Sequence, residues 1–196
     1  VLIRLKIVPP SYAKYSSDLI AFAGDFRPDL KKLKWGVGEA AAARMILRAQ
    51  KLPNIDLAGY HSHLGRLSQR IAHRAAYDGE IGAMAARIYK KTGFAPRIID
   101  IGGGWPRKRD AESRSAAPNR FDIEDYARAS AKALLAPLQT ASMPTPALWL
   151  EPGRYIAGNA GVLLTSVLSV KKDVGHVWVN VDASTNIMPL INAAIE

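Results

Sequence analysis

The sequence predicts an α/β fold built on a parallel sheet. Short apolar, β-branched runs alternate with helical patterns over most of the chain. A long polar, basic stretch from Trp105 to Phe121 follows one of those runs, as a loop above the strand ends of such a sheet would. Beyond Arg154 the alternation stops, and strand-like runs follow each other with no helix between them. With 196 residues, 48% of them hydrophobic, the chain can bury one sizeable core. It is shorter than the about 250 residues of a complete eight-fold barrel. Periodicity alone allows a doubly wound sheet or part of a barrel.

Strands are expected at about 1–8, 33–37, 55–63, 97–101 and 147–151. The Ala-rich segment Glu39 to Gln50 reads as a helix, and Arg70 to Thr92 as a longer one. In the latter Ile81, Met84, Ala85, Ile88 and Tyr89 recur at helical spacing and form one apolar stripe. Asp122 caps a third helix, which runs to about Leu135 and stops near Pro137. Gly161–Val170 and Val177–Asp182 are strand-like, and Asp173-Val174-Gly175-His176 reads as a hairpin connection between them. The expected division is therefore 1–158 for the α/β part and 159–196 for the start of a β-rich domain.

Both ends read as cut from a longer chain: Val1 already lies inside an apolar run, and Ile187–Glu196 shows no stop signal. No signal peptide and no run long enough to span a bilayer is present, and Cys is absent. A cytoplasmic protein without membrane association is the expectation. The net charge of +10 favours anionic ligands. The charges are scattered, with no basic stripe interleaved with aromatics, so nucleic acid is not an expected partner.

Three strand ends carry chemistry. In Asp100-Ile101-Gly102-Gly103-Gly104-Trp105-Pro106, glycines directly after a strand let the backbone close on a phosphate, or form only a tight loop. In Gly59-Tyr60-His61-Ser62-His63-Leu64-Gly65, the two histidines are two apart and share one face of a strand. A His-x-His pair can ligate a metal, but neither His73 nor His176 is placed to complete a site; Asp100 is one possible carboxylate ligand, and no metal is expected. One histidine can instead stack on a flat ring, or both can be core residues. Glu151 ends an apolar strand, the Pro152-Gly153 pair turns the chain, and Arg154 follows. A carboxylate beside a pyridine nitrogen favours the protonated ring, and arginine suits a phosphate; a mutual salt bridge is the plainer alternative. Arg4, flanked by Ile3 and Leu5, needs a partner or a ligand.

In this order the segments resemble the fold-type III pyridoxal-phosphate (PLP) decarboxylases, which include the ornithine, arginine and diaminopimelate enzymes. Leu2-Ile3-Arg4, Lys34-Trp35-Gly36 and Val181-Asp182-Ala183 add to the likeness, which covers nearly the whole chain. The resemblance implies the later part of a (β/α)8 (TIM) barrel of the alanine-racemase-like type, then the start of a β-rich C-terminal domain. It implies PLP as cofactor and decarboxylation of an amino-acid substrate. It implies that His63 stacks on the ring, that Gly65, Gly102, Gly103 and Gly104 cradle the phosphate, and that Glu151 pairs with the ring nitrogen. Gly153 and Arg154 then lie on the phosphate side, and Arg4 near the ring hydroxyl. A homodimeric full-length parent is implied as well. Racemisation and a catalytically inactive binding paralogue are the alternatives. Three departures stand out: no lysine matches the family's Schiff-base motif, Arg66 replaces the usual serine, and Met188 and Asn192 stand where arginine and tyrosine are usual.

Overall fold

The structure, a computed structural model, describes residues 1–14, 27–65, 70–107, 121–158, 160–184 and 187. It falls into two compact units, Val1–Ala157 and Gly158–Glu196. The first holds a four-stranded parallel sheet in sequence order: β1 (Leu2–Arg4), β2 (Gly59–His61), β3 (Ile98–Asp100) and β4 (Ala147–Trp149). Helices connect the strands: α1 (Arg27–Lys32) and α2 (Glu39–Ala49) after β1, α3 (Ile71–Thr92) after β2, and α4 (Ile123–Thr140) after β3. A 3-10 turn, Pro10–Lys14, follows β1, and a short helix, α5 (Gly153–Ala157), follows β4.

Strand alternation divides the sheet into two faces. Ile3, Tyr60 and Ile99 stand in register on the helix side and are buried, with Leu148 continuing the row at the exposed β4. The opposite face carries Arg4, His61, Asp100 and Trp149 in register, one polar or aromatic group per strand. The core lies between the sheet and the helices, with Ile81, Ala85 and Ile88 of α3 meeting Leu134 and Leu138 of α4 in one cluster. Gly82 has only hydrogen where α3 rides against the Leu134 backbone of α4.

Several local expectations need correction. The expected strand 33–37 reduces to a single bridge between Val37 and Leu5, because Gly36 takes φ +75° and turns the chain just before it. The helix capped by Asp122 does not stop at Pro137. Proline forfeits one backbone bond, yet Leu138 beyond it is buried, and the Ala141 N–H closes on the Pro137 carbonyl at 3.1 Å. At its start, Asp122 and Asp125 form the reciprocal capping box. The short helices α1 and α5 carry too few residues for a periodic signal.

The second unit contains an antiparallel hairpin, β5 (Val167–Asp173) and β6 (His176–Val181). Val174 and Gly175 both take positive φ, which matches the right-handed twist of paired strands and fixes a two-residue turn.

Candidate functional site

The polar residues singled out in the sequence collect at the C-terminal ends of β2, β3 and β4, where open α/β folds keep their ligands. Glu151 lies two residues past β4. Its backbone N–H donates to the Gly102 carbonyl at 3.1 Å, which ties the β4 end to the glycine loop. Its carboxylate, half exposed, reaches within 3.8 Å of His61 Nε2 and 3.4 Å of His63 Nδ1. His61 Nε2 is buried without a hydrogen-bond partner.

His63 Nδ1 also accepts the Gly103 N–H at 3.1 Å. One lone pair cannot be both occupied and protonated, so the Glu151 approach is a close contact rather than a hydrogen bond. His63 is then neutral with its proton on Nε2. The electrostatics agree: burial pushes the His63 pKa below its ordinary 6.5, against the upward pull of Glu151, with Arg4 and His61 adding to the downward shift. The folded state therefore resists a proton that the unfolded state accepts. His63's contribution to stability is complete above the ordinary value and is lost as pH falls through the lowered one. Nitrogen NMR of His63 at pH 7.5 should show an unprotonated Nδ1 accepting a hydrogen bond; a protonated Nδ1 at that pH would overturn the assignment.

The glycine run is glycine for internal reasons. Gly102 takes φ +72°, and a Cβ there would sit 2.7 Å from the Ser62 carbonyl oxygen and 2.8 Å from His63 Nδ1. A Cβ on Gly103 would overlap the Glu151 carbonyl oxygen. The Gly102 N–H donates to Asp100 Oδ1 at 2.8 Å and the Gly103 N–H to His63. These two residues thus let the strand ends converge, and their own amides are engaged, Gly102's by Asp100 and Gly103's by His63.

Beneath the loop lies a group the sequence reading missed. Arg74, fully buried on α3, donates from Nη2 to the Ile101 carbonyl at 2.7 Å and from Nη1 to the Gly103 carbonyl at 3.1 Å. Its Nε pairs with Asp78 Oδ2 at 2.8 Å, and its guanidinium stacks 4.0 Å from the Trp105 ring centre. Burial pushes the Asp78 carboxyl up, and Arg74 opposes the shift. One turn along, the Ser62 hydroxyl donates to the Leu5 carbonyl, so the Tyr77 hydroxyl must be the donor in their 2.6 Å contact. Burial pushes the Tyr77 pKa up to about 12. The signal in the sequence was four polar residues, His73, Arg74, Tyr77 and Asp78, where an apolar stripe would be expected.

The remaining expected residues are placed as follows. Arg4 ends β1 with its guanidinium 5.6 Å from the Trp35 ring centre. Gly65 takes φ +85° with open space around it, and Gly104 completes the loop with φ +76°. Gly153 and Arg154 open α5. Arg66, Met188 and Asn192 lie outside the described residues.

Glu151, rather than Asp100, is the carboxylate that joins the two histidines: suitable atoms of His61, His63 and Glu151 lie within 4.8 Å of one another. The His63 nitrogen nearest Glu151 is, however, the one already occupied by Gly103. An apolar cavity of about 280 Å³ lies on the helix side, lined by Ile101, Trp105, Ile123, Leu148, Leu150 and Tyr155 among others.

Residues 21–158 match the family model described as pyridoxal-dependent decarboxylase, pyridoxal binding domain. The diaminopimelate decarboxylase of Pseudomonas fluorescens is 35% identical over 160 residues, 80% of this chain and 34% of that protein. That of Aquifex aeolicus is 32% identical over 158 residues, with the same coverage. The chain thus spans about a third of these relatives' length. Among solved structures, diaminopimelate decarboxylase from Helicobacter pylori complexed with L-lysine superposes with TM-score 0.66 at 25% identity, over 96% of this chain and 42% of that one. The M. jannaschii enzyme gives TM-score 0.74 at 23% identity, over 95% and 39%, a likeness of fold. Among the described residues no helix is long and apolar enough to cross a membrane. The α/β unit with its parallel sheet is accordingly part of a TIM barrel, and the chain belongs to the pyridoxal-dependent decarboxylase family.

Proposed function

We propose that this chain seats the cofactor in a PLP-dependent amino-acid decarboxylase, and that a diaminopimelate-like amino acid is the substrate of the whole protein. The contact cluster of His63, Gly103 and Glu151 carries this reading. The residues fit the group. Glycines admit no Cβ where the strand ends close up, the buried His61 nitrogen lacks a partner, and a half-exposed carboxylate faces the imidazoles. When bound, PLP supplies an electron sink for the charge left at the substrate α-carbon as CO₂ departs.

Each residue then has a task. Glu151 holds a proton on the pyridine nitrogen. Neutral His63 presents its flat ring to the cofactor, oriented by the Gly103 N–H. Gly65, the Gly102–Gly104 loop, Gly153 and Arg154 lie on the phosphate side, and Arg4 near the ring hydroxyl. Residues 1–158 are read as the later part of the barrel and 159–196 as the start of the β domain. On the family likeness we also infer a cytoplasmic homodimer.

The test uses the full-length protein with PLP and diaminopimelate. Release of CO₂ with lysine formation is expected; stereochemical inversion without CO₂ would favour a racemase, and neither reaction would favour a binding paralogue. Arg154→Ala should weaken PLP binding about tenfold or more while excess PLP restores most of the rate, because phosphate contact is uniform binding. An unchanged PLP dissociation constant would remove Arg154 from the phosphate side.

A further inference from the structure

An anion repels carbonyl oxygens, so a loop that holds one must turn them elsewhere. Three consecutive carbonyls of this loop accept hydrogen bonds from within the protein. Ile101 O accepts from Arg74 Nη2, and Gly103 O from Arg74 Nη1. Gly102 O accepts from Trp105 Nε1 at 3.0 Å and from the Glu151 N–H. Fixing these oxygens fixes the orientation of the loop's trans peptide planes. With the Gly102 and Gly103 N–H groups taken by Asp100 and His63, the effect on an anion is to keep carbonyl oxygens off it rather than to supply amide donors.

Arg74 is suited to that task. Its rigid fork reaches two carbonyls at once while Nε pairs with Asp78, which an ammonium on a flexible stem would not reproduce. Asp78 balances its charge, so Arg74 acts on the loop through hydrogen bonds rather than through net charge. Stability alone does not account for the pair. Fully buried ion pairs are often no more stabilising than apolar residues of similar volume.

We propose that Arg74, held by Asp78 and Trp105, is a positioning residue that keeps the glycine-loop carbonyls turned from the bound anion and so sets the site's preference for a phosphorylated ring over the same ring without phosphate. The proposal rests on the cofactor-site reading above. It goes further in naming the residue that confers phosphate selectivity from outside the site.

The experiment compares PLP and pyridoxal binding to the full-length protein and to the double variant Arg74→Met, Asp78→Leu, which removes both charges and leaves neither stranded. The variant should still fold, with a lowered thermal midpoint because the Ile101 and Gly103 carbonyls lose their donor. It should lose about tenfold or more in PLP affinity and change pyridoxal affinity by less than about twofold. A folded variant with an unchanged PLP-to-pyridoxal ratio overturns this proposal alone. A wild type that binds neither ring overturns the cofactor-site reading with it. A second measurement needs no variant. In the wild type, inorganic phosphate should shift the loop amide resonances while the Arg74 side-chain N–H groups stay protected from exchange. Loss of that protection as phosphate binds would show the loop releasing Arg74, and would overturn the proposal.

Discussion

Gly59→Ala is expected to leave little folded protein. Gly59 opens β2 and pairs with Ile98 of β3, and an added methyl would overlap the Ile98 carbonyl oxygen. The obstacle is backbone in the middle of the sheet, so no side-chain rotation relieves it. Separating the strands would disturb the pairing that places His61 opposite Asp100 and brings His63 to the glycine loop. The expected loss is on the order of 4 kcal/mol, large for a single methyl. It would consume much of the roughly 5–15 kcal/mol that holds a typical domain together. Gly38→Ala is the control: nothing lies within 4 Å of its Cβ position, and the cost should stay below about 1 kcal/mol. Urea unfolding of both variants decides the matter, and a Gly59→Ala midpoint matching wild type would refute the strand spacing described.

Glu151→Gln should act on catalysis rather than folding. The backbone at this position is anchored to Gly102, and the side chain is half exposed, so the substitution leaves the loop in place. What changes is charge. On the proposed reading, a neutral amide would no longer favour a proton on the pyridine nitrogen, and the loss would grow as charge builds toward the transition state. In the full-length protein kcat at saturating PLP should fall by about ten- to a thousandfold, roughly 1.4–4 kcal/mol of barrier, with a smaller change in PLP affinity. An unchanged kcat would reduce Glu151 to a carboxylate at the strand rim.

Much of this arrangement was legible in the sequence because it follows backbone periodicity. Two-residue alternation put His61 and His63 on one side, and a strand ending in glycines marked the place where neighbouring strand ends converge. Asp122 announced its helix through a local cap that needs no tertiary partner. Pro137 misled because a buried Leu138 outweighs one lost backbone bond, and only the packing shows that. The strand expected over 33–37 failed because Gly36 takes a left-handed φ, Leu33 and Trp35 stay exposed, and only Val37 bridges to the sheet. Arg74 was illegible for a different reason. An arginine near a helix start reads as solvated, and its two acceptors are carbonyls 27 and 29 residues away, invisible to any local pattern.

The polar first turns of α3 bear on how firmly the helix is keyed to the sheet. An apolar stripe against a sheet tolerates a slide or a roll, since one methyl replaces another at little cost. Hydroxyls and a guanidinium with assigned acceptors do not. Moving α3 by a single residue would part Tyr77 from Ser62 and Arg74 from Ile101 and Gly103 together, leaving buried donors unmatched. The lower half of the helix, with Ile81, Ala85 and Ile88, supplies adhesion. The upper half acts as the notch of a key, admitting one alignment among the several that grease alone would accept.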